Sequence, residues 1–592
     1  MYFSNSKKSV KDYKWKIREC DERKVLSLYQ KLGVSEIVAR LLVLRGIVSI
    51  SEVESYLNPK LRNLLPDPFH LFDMDKAVDV VVDAIQQKKK IVIFGDYDVD
   101  GATSTALLKR FLASIGIDVK VYIPDRTKEG YGLNIEAVRL LKDQDSVDLI
   151  ITLDCGISAH KAIDVAKELN VKVVVLDHHL GSEKLPNACA VVDPNRLDEK
   201  TEYNNIAAVG VCFLFCVGLN QKLREYYKQK NIKEPQILNL LDLVALGTVC
   251  DVMPLEGLNR AFVTQGLKIL NKRNNLGIKK LISVGGIEEE IDVYHLGFVL
   301  GPRLNAGGRV GESGLGSRLL STNDENEAEK IALILNDLNT QRQKLEKDIL
   351  EQAILRVEEK ALYKNPVIFV IGNEWHEGVI GIVASRLKDK YDKPTVVVTL
   401  LNGIGKASCR SVKGVDIGSG IIEAQMKEIL TVGGGHAMAG GFTVQESRIN
   451  DLREFFYNKF KKDVQEYSDN KEKQIDLVLE CSNLNLQLVE ELEKLRPYGM
   501  GNSKPKIVLK DVLILKVDVI GKEAKHLRCI IADKDVMGFS NGIIAMAFNY
   551  KNEGFDVLLD SKGKKFSLLG EVRVNEWGGQ KKVQFFVQDI IV

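Results

Sequence analysis

The sequence predicts an α/β protein of several domains, and three observations carry that reading. Between Lys90 and about Val192, short apolar runs (IVIFGD, VKVYIP, DLIITLD, VKVVVLD and ACAVVD) alternate with helical stretches. This is the pattern of a parallel sheet covered on both faces. A second set of such runs starts at Pro366, and a third region rich in short β-like runs follows a charged stretch near Lys461.

At 592 residues the chain exceeds what one hydrophobic core organises, about 250 to 300 residues, so three or four domains are expected. Hydrophobic residues make up 45% and charged residues 28%, values that exclude a disordered or fibrous chain. No window approaches the roughly 18 apolar residues of a membrane span, and no apolar signal core follows Lys7, Lys8, Lys11 and Lys14. A cytoplasmic location is expected. The nine cysteines are scattered with no CxxC pair, which predicts reduced thiols and no zinc site. A net charge of +2 neither favours nor excludes a nucleic-acid partner, because a basic groove is a local feature.

Taken in order, residues 1–75 form an N-terminal extension and 76–324 an α/β lobe. Within that lobe, helical segments are expected at roughly 207–230 and 236–249. Residues 325–360 hold neither Gly nor Pro and are rich in helix formers, so a long connecting helix is predicted. Residues 361–465 form a smaller α/β lobe, with PVIFVIG, a helix near Val379–Lys390, PTVVVTL and the glycine-rich VGGGHAMAGGF. Residues 466–592 fit a small β-barrel of the OB type.

Acidic residues stand where the first lobe's β-runs end: Asp96, Asp98 and Asp100, then Asp154, then Asp177. In open α/β sheets, ligands bind beyond the carboxyl ends of strands. Alone, the DxDxDG of FGDYDVDGATS serves equally as a helix-capping turn or a calcium-type loop. A single histidine at a strand end is more often structural than functional. Here, however, Asp177 is followed by both His178 and His179, and Asp251 lies just past a later helix. Carboxylates and imidazoles without cysteine suit two hard or borderline divalent ions, Mn²⁺ or Mg²⁺. Arg126 follows the second strand, placed either as a phosphate contact or as a plain surface residue. Ser408 and Arg410 of KASCRS, with the amides of GGGH around Gly434, suit an anion pocket. His436 suits either that pocket or a structural turn.

GDYDVDG, TLDCGIS, LDHH and TVCDVMPL, in this order and spacing, resemble the signature set of the DHH phosphoesterases. PDRTKEGYGLN, VDPN, AAVGV, GPRLNAGGRVGES, WHEGVIGIVASRL, GKASCRSV, VGGGHAMAGGF and RPYGMGN are similar to segments of its RecJ-type members, so the likeness covers about residues 90 to 505. The resemblance implies a DHH-type parallel-sheet lobe, a DHHA1-type second lobe and an OB-like barrel. It implies metal ligation by Asp98, Asp100, Asp154, His178 and Asp251, with Asp96 in the same cluster and Asp154 central to catalysis. His179 would contact the reacting phosphate or support its neighbours, and Asn305 and Arg309 would meet the nucleotide near the scissile bond. The 5′-terminal phosphate would sit near Ser408, Arg410, Gly434 and His436. The implied activity is 5′ to 3′ hydrolysis of single-stranded DNA to mononucleotides in repair and recombination, by a monomer working with a single-strand-binding protein and a helicase. Tyr498, Phe548 and Trp577 are candidates for base stacking, weighed against burial in a core.

Overall fold

In the computed structural model, which describes residues 2–3, 8–125, 129–533, 542–561, 564–577 and 579–592, the five apolar runs become one parallel sheet. Across the sheet its strands are Lys120–Tyr122, Ile91–Gly95, Leu149–Leu153, Lys172–Leu176 and Ala190–Val192. Successive side chains on a strand point to opposite faces. Ile91, Ile93, Leu149, Ile151 and Leu153 accordingly enter one core with the helices Met74–Gln86, Val99–Ser114 and Ala208–Lys222. Val92, Phe94, Ile150, Val173 and Val175 enter another with the helices Ile135–Asp145 and His160–Glu168. Burial on both sides explains why all but the edge run at Lys120–Tyr122 are apolar almost throughout.

The chain leaves the strand Ile91–Gly95 towards one edge and then returns past it to Leu149–Leu153 on the other side. The order reverses between those two strands, and such a switch point opens a crevice beyond the strand ends.

A helical layer follows, including Leu241–Cys250, Gly257–Leu270, Leu276–Val284, Gly301–Val310 and Leu315–Ser321. The helix Glu325–Glu359 is capped by Asp324, whose side chain accepts the Glu327 amide hydrogen. At 1.5 Å per residue it is about 52 Å long. Ala328, Ile331, Ala332 and Leu335 bury its first half in the first lobe. Ile349, Ala353 and Val357 bury its last third in the second. The second lobe carries a five-stranded sheet ordered Val432–His436, Ala439–Gln445, Ile404–Arg410, Thr395–Leu401 and Ile368–Asn373, with only the last pair parallel. Residues 60–465 together form one compact unit.

The other compact unit joins residues 1–59 to 466–592. Strands Ile507–Ile520, His526–Ala532, Ile543–Ala547, Gln580–Ile591 and Lys565–Trp577 close into a barrel through pairing of the first with the last. The N-terminal strand Lys14–Ile17 runs parallel to Glu472–Ile475. Val25, Leu28, Val38, Leu41, Leu42 and Val53 share a core with Leu488, Leu527 and Phe585 of the barrel region. Trp15 is almost fully buried, and its indole N–H donates to Asp589 Oδ2 at 3.1 Å.

Tyr498 packs at the edge of this core and donates its hydroxyl to the Leu492 carbonyl. Phe548 is partly exposed against His526 and Phe586. The Trp577 side chain lies outside the described residues. All nine cysteines are free thiols, and among the described residues no helix is long and apolar enough to cross a membrane.

Candidate active site

The site is built at the switch point from the tips of three strands and the end of one helix. Asp98 caps the helix Val99–Ser114, accepting the Gly101 amide hydrogen at 3.1 Å. A side chain at Gly101 would overlap the Asp96 carbonyl, its Cβ lying 2.5 Å from that oxygen, so this tight turn requires glycine. Asp100, in the first turn of that helix, accepts from the Ala208 and Val209 amides at 2.6 and 2.9 Å and so caps the neighbouring helix. Asp154, at the end of Leu149–Leu153, holds φ at 60°, a costly conformation for a residue with a side chain and one concentrated at functional sites. Asp251 ends the helix Leu241–Cys250, and Val252 after it also has a positive φ of 59°.

His178 is the hub of the cluster. Its Nε2 lies 3.3 Å from Asp154 Oδ1, 3.6 Å from Asp251 Oδ2 and 3.8 Å from Asp100 Oδ2. Its backbone carbonyl accepts from Asn195 Nδ2, and the Asn195 amide in turn donates to Asp193. Burial, followed by the charge of His179, pushes the His178 pKa down to about 4, so these short distances are not ion pairs at neutral pH. A neutral imidazole amid carboxylates is a metal ligand's state.

Three sets of donors each lie within 4.8 Å: Asp96, Asp98 and Asp154; Asp100, His178 and Asp251; and Asp154, His178 and His179. Asp154 and His178 each belong to two sets, so the positions adjoin. Asp154 Oδ1 and Asp251 Oδ2 are buried without a hydrogen-bond partner. Among the described residues no Lys or Arg forms an ion pair with Asp98, Asp100, Asp154 or Asp251. Burial and mutual repulsion raise the carboxyl pKa values of Asp100 and Asp154, and that of Asp251 to about 7. Buried carboxylates left open in this way fit divalent cations with oxygen and imidazole donors.

His179 is half exposed beside the cluster. Burial opposes its protonation, but a 2.7 Å contact between its Nδ1 and Asp177 Oδ1 outweighs this and carries the pKa up to about 9. Asp177 also accepts amide hydrogens from Ile157, His178 and His179. Tyr131 donates its hydroxyl to the Asp154 carbonyl at 3.0 Å and packs edge-on against His179. Sequence reasoning placed Asp177 at a strand tip without giving it a role. The signal available was its position two residues before His179. Tyr131 and Asn195 lay inside quoted motifs without being singled out.

Arg126 lies outside the described residues. Asn305 and Arg309 sit one helical turn apart on Gly301–Val310, and Arg309 donates to the Gly378 carbonyl of the second lobe at 2.9 Å. Sheet register brings the two second-lobe motifs together. Ser408, Gly441 and Gly434 stand side by side on adjacent strands, and Arg410, Ala439 and His436, two residues along, form the next row on the same face. Ser408 Oγ accepts from Arg410 at 3.2 Å, and burial lowers the guanidinium pKa. Gly381 lets the helix Glu377–Tyr391 approach this pair, since a Cβ there would come within 3.0 Å of Ser408 Oγ. His436 is exposed on the edge strand.

Comparison with known proteins matches residues 90–248 to the DHH family N-terminal domain, 364–462 to the DHHA1 domain and 475–589 to the RecJ OB domain. The chain is 35% identical over 586 residues to the single-stranded-DNA-specific exonuclease RecJ of Bacillus subtilis, covering 98% of this chain and 71% of that protein. It is 33% identical to the Haemophilus influenzae protein of the same name, covering 96% and 98%. Among solved structures, that of RecJ in complex with Mn²⁺ from Thermus thermophilus superposes with a TM-score of 0.77 at 28% identity, covering 98% of this chain and 79% of that one. Three domain matches in order and identity sustained along nearly the whole chain place it by descent: the chain belongs to the RecJ family.

Proposed function

We propose that this chain is a single-stranded-DNA exonuclease that hydrolyses phosphodiester bonds from the 5′ end and releases mononucleotides during DNA repair and recombination. The observation that carries the reading is the convergence of Asp98, Asp100, Asp154, His178 and Asp251 in one pocket, with two buried carboxylate oxygens left open. The RecJ relatives named single-stranded-DNA-specific exonucleases supply the substrate class.

The cofactors are two divalent cations, Mn²⁺ or Mg²⁺. Asp96, Asp98 and Asp154 would hold one, and Asp100, His178 and Asp251 the other. When bound, such a pair activates water and neutralises phosphoryl charge. The chain's own residues do the rest. His179, oriented through Nδ1 by Asp177, has Nε2 available to donate a hydrogen bond to a phosphate oxygen as charge develops. Asn305 and Arg309 steady the nucleotide. Ser408, Arg410, Gly434 and His436 form the pocket for the 5′ phosphate, where the bare glycines admit the anion and Arg410 meets its charge. A terminal phosphate held on one lobe and chemistry performed on the other set a fixed register, which favours cleavage at chain ends. The enzyme works in the cytoplasm as a monomer. A helicase and a single-strand-binding protein are the partners such a reaction calls for, because a paired strand must be separated first.

The test offers the protein labelled single-stranded DNA, its duplex, RNA and pyrophosphate with Mn²⁺ or Mg²⁺. Stepwise mononucleotide release from the 5′ end of the single strand is expected. Preference for pyrophosphate, or internal cutting, would overturn the assignment.

A further inference from the structure

The polypeptide that enters the helix Gly301–Val310 begins with a single π-helical turn, Leu296–Leu300, preceded by Val293–His295. A π turn takes in one more residue than an α turn and occurs frequently at functional sites. This one is held from beneath. His295 is buried, with its Nε2 3.0 Å from Glu289 and its Nδ1 accepting the Asp292 amide hydrogen. Above it, Tyr294 and Phe298 stand out at 60% and 72% exposure. Their rings stack on each other with centroids 5.2 Å apart and planes 24° from parallel. Single exposed apolar residues are ordinary, but two large aromatics stacked in solvent form a flat surface with something still to bury.

Their position relates this surface to the chemistry. The Cys250 thiol, next to Asp251, donates to the Leu296 carbonyl at 3.4 Å. Cβ atoms at Gly297, Gly301 and Gly308 would meet Val249, Cys250 and Tyr97 respectively, so this seam lies against both the Asp251 helix end and the Asp96–Asp98 loop. One residue further round runs the ridge Tyr294, Phe298, Pro302, Asn305 and Arg309, spaced four, four, three and four apart and nowhere buried. It passes from two aromatic rings to an amide and a guanidinium within five turns.

We propose that Tyr294 and Phe298 form a base-stacking platform for the substrate strand, a few nucleotides from the scissile phosphate and continuous with Asn305 and Arg309. This deepens the single-strand reading and rests on it. A protein partner is the less favoured occupant, because the ridge leads without a break to the residues assigned to the nucleotide. Stacking is indifferent to sequence, since every base has a π face, and it suits an enzyme that must move through any strand.

Two measurements test the platform. Tyr294→Ala/Phe298→Ala should raise KM for a single-stranded oligonucleotide about fivefold to a hundredfold, more than it lowers kcat. The slope of log affinity against log salt should stay unchanged, because no phosphate contact is lost. Phe298→Tyr should retain tight binding, whereas Phe298→Leu, apolar but without a ring, should not. In the second measurement, one abasic position is moved along the oligonucleotide. The unaltered protein should bind weakly at one register, and the double variant should bind all registers alike. A flat abasic scan with the unaltered protein, or an unchanged KM in the double variant, would overturn the platform while the exonuclease stands. Failure of the unaltered protein to degrade any single strand would overturn the functional reading itself, and the platform with it.

Discussion

Asp251→Asn should make the cation-free protein more stable and deprive the cation-loaded protein of its gain. Burial first, and then the charge of Asp98, raise the Asp251 carboxyl from its ordinary 3.8 to about 7, against partial relief from His179. Below about pH 4 the carboxyl is protonated in both folded and unfolded chains, so it has no effect on stability. Between about pH 4 and 7 the folded chain keeps a proton that the unfolded chain releases, and stability falls as the pH rises. Above about pH 7 the whole cost is present, ~4 kcal/mol at roughly 1.4 kcal/mol per pH unit. The side chain is 24% exposed, which brings the expectation to ~2–4 kcal/mol. Thermal unfolding in EDTA should therefore show the Asn variant several degrees above the unaltered protein at pH 8 and level with it at pH 4. Adding Mn²⁺ at about a hundred times its dissociation constant should stabilise the unaltered protein by ~2.7 kcal/mol, and the variant, lacking a ligand, by less. An Asn variant that is less stable in EDTA at pH 8, or one with an equal Mn²⁺ gain, would refute the picture of carboxylates crowded to receive a cation.

Asp154→Ala removes a carboxylate that belongs to two of the three donor sets and should abolish cleavage while weak strand binding persists, as read by gel shift beside a nuclease assay. Arg410→Ala should weaken the handling of 5′-phosphorylated ends more than it lowers the rate at saturating substrate, and an unchanged end preference would remove Arg410 from the pocket. Asp177→Asn should lower kcat about 10- to 100-fold, and should move an alkaline limb expected near pH 9 towards the ordinary histidine value of 6.5, since protonated His179 then loses its partner. Trp15→Ala should destabilise the unit of residues 1–59 and 466–592 by about 3–5 kcal/mol by leaving a cavity beside Asp589, measured by denaturant unfolding.

The catalytic lobe was legible because its strands are parallel and buried on both faces. Four of the five declare themselves as apolar runs that stop at an acidic residue, whereas the run of the edge strand Lys120–Tyr122 is only partly buried and ends at Pro124. Ranges followed within a few residues, as with the helix expected near Val379–Lys390 and found at Glu377–Tyr391. What was not legible depends on contacts that leave no local period. The strand Lys14–Ile17 pairs with Glu472–Ile475 across some 450 residues of chain, so nothing near residue 14 announces its partner. The alignment of Ser408 with Gly434 and of Arg410 with His436 depends on strand register, and a slip of one residue would send every side chain to the opposite face. At the π turn Leu296–Leu300 the sequence shows a break, Gly301 followed by Pro302, but not that the helix runs on through it with one residue added, which is what carries the exposed rings of Tyr294 and Phe298.

Carboxylates gathered in a desolvated pocket repel one another, and this fold sorts them into two kinds. Asp98, Asp100 and Asp177 are tied by amide hydrogens: one from Gly101, two from Ala208 and Val209, and three from Ile157, His178 and His179. These bonds fix side-chain direction and offset part of the cost of burial. Asp154 Oδ1 and Asp251 Oδ2 receive none. A cluster with every oxygen satisfied would be stable and have nothing left with which to bind a cation. One with none satisfied would protonate or splay apart. Helix starts at Val99 and Ala208 make the division possible, because each supplies unpaired amides directly at the strand tips. The oxygens left open therefore stand in fixed positions 3.3 and 3.6 Å from His178 Nε2, and the repulsion that Asp98 exerts on both carboxyl groups is what a divalent cation relieves on binding.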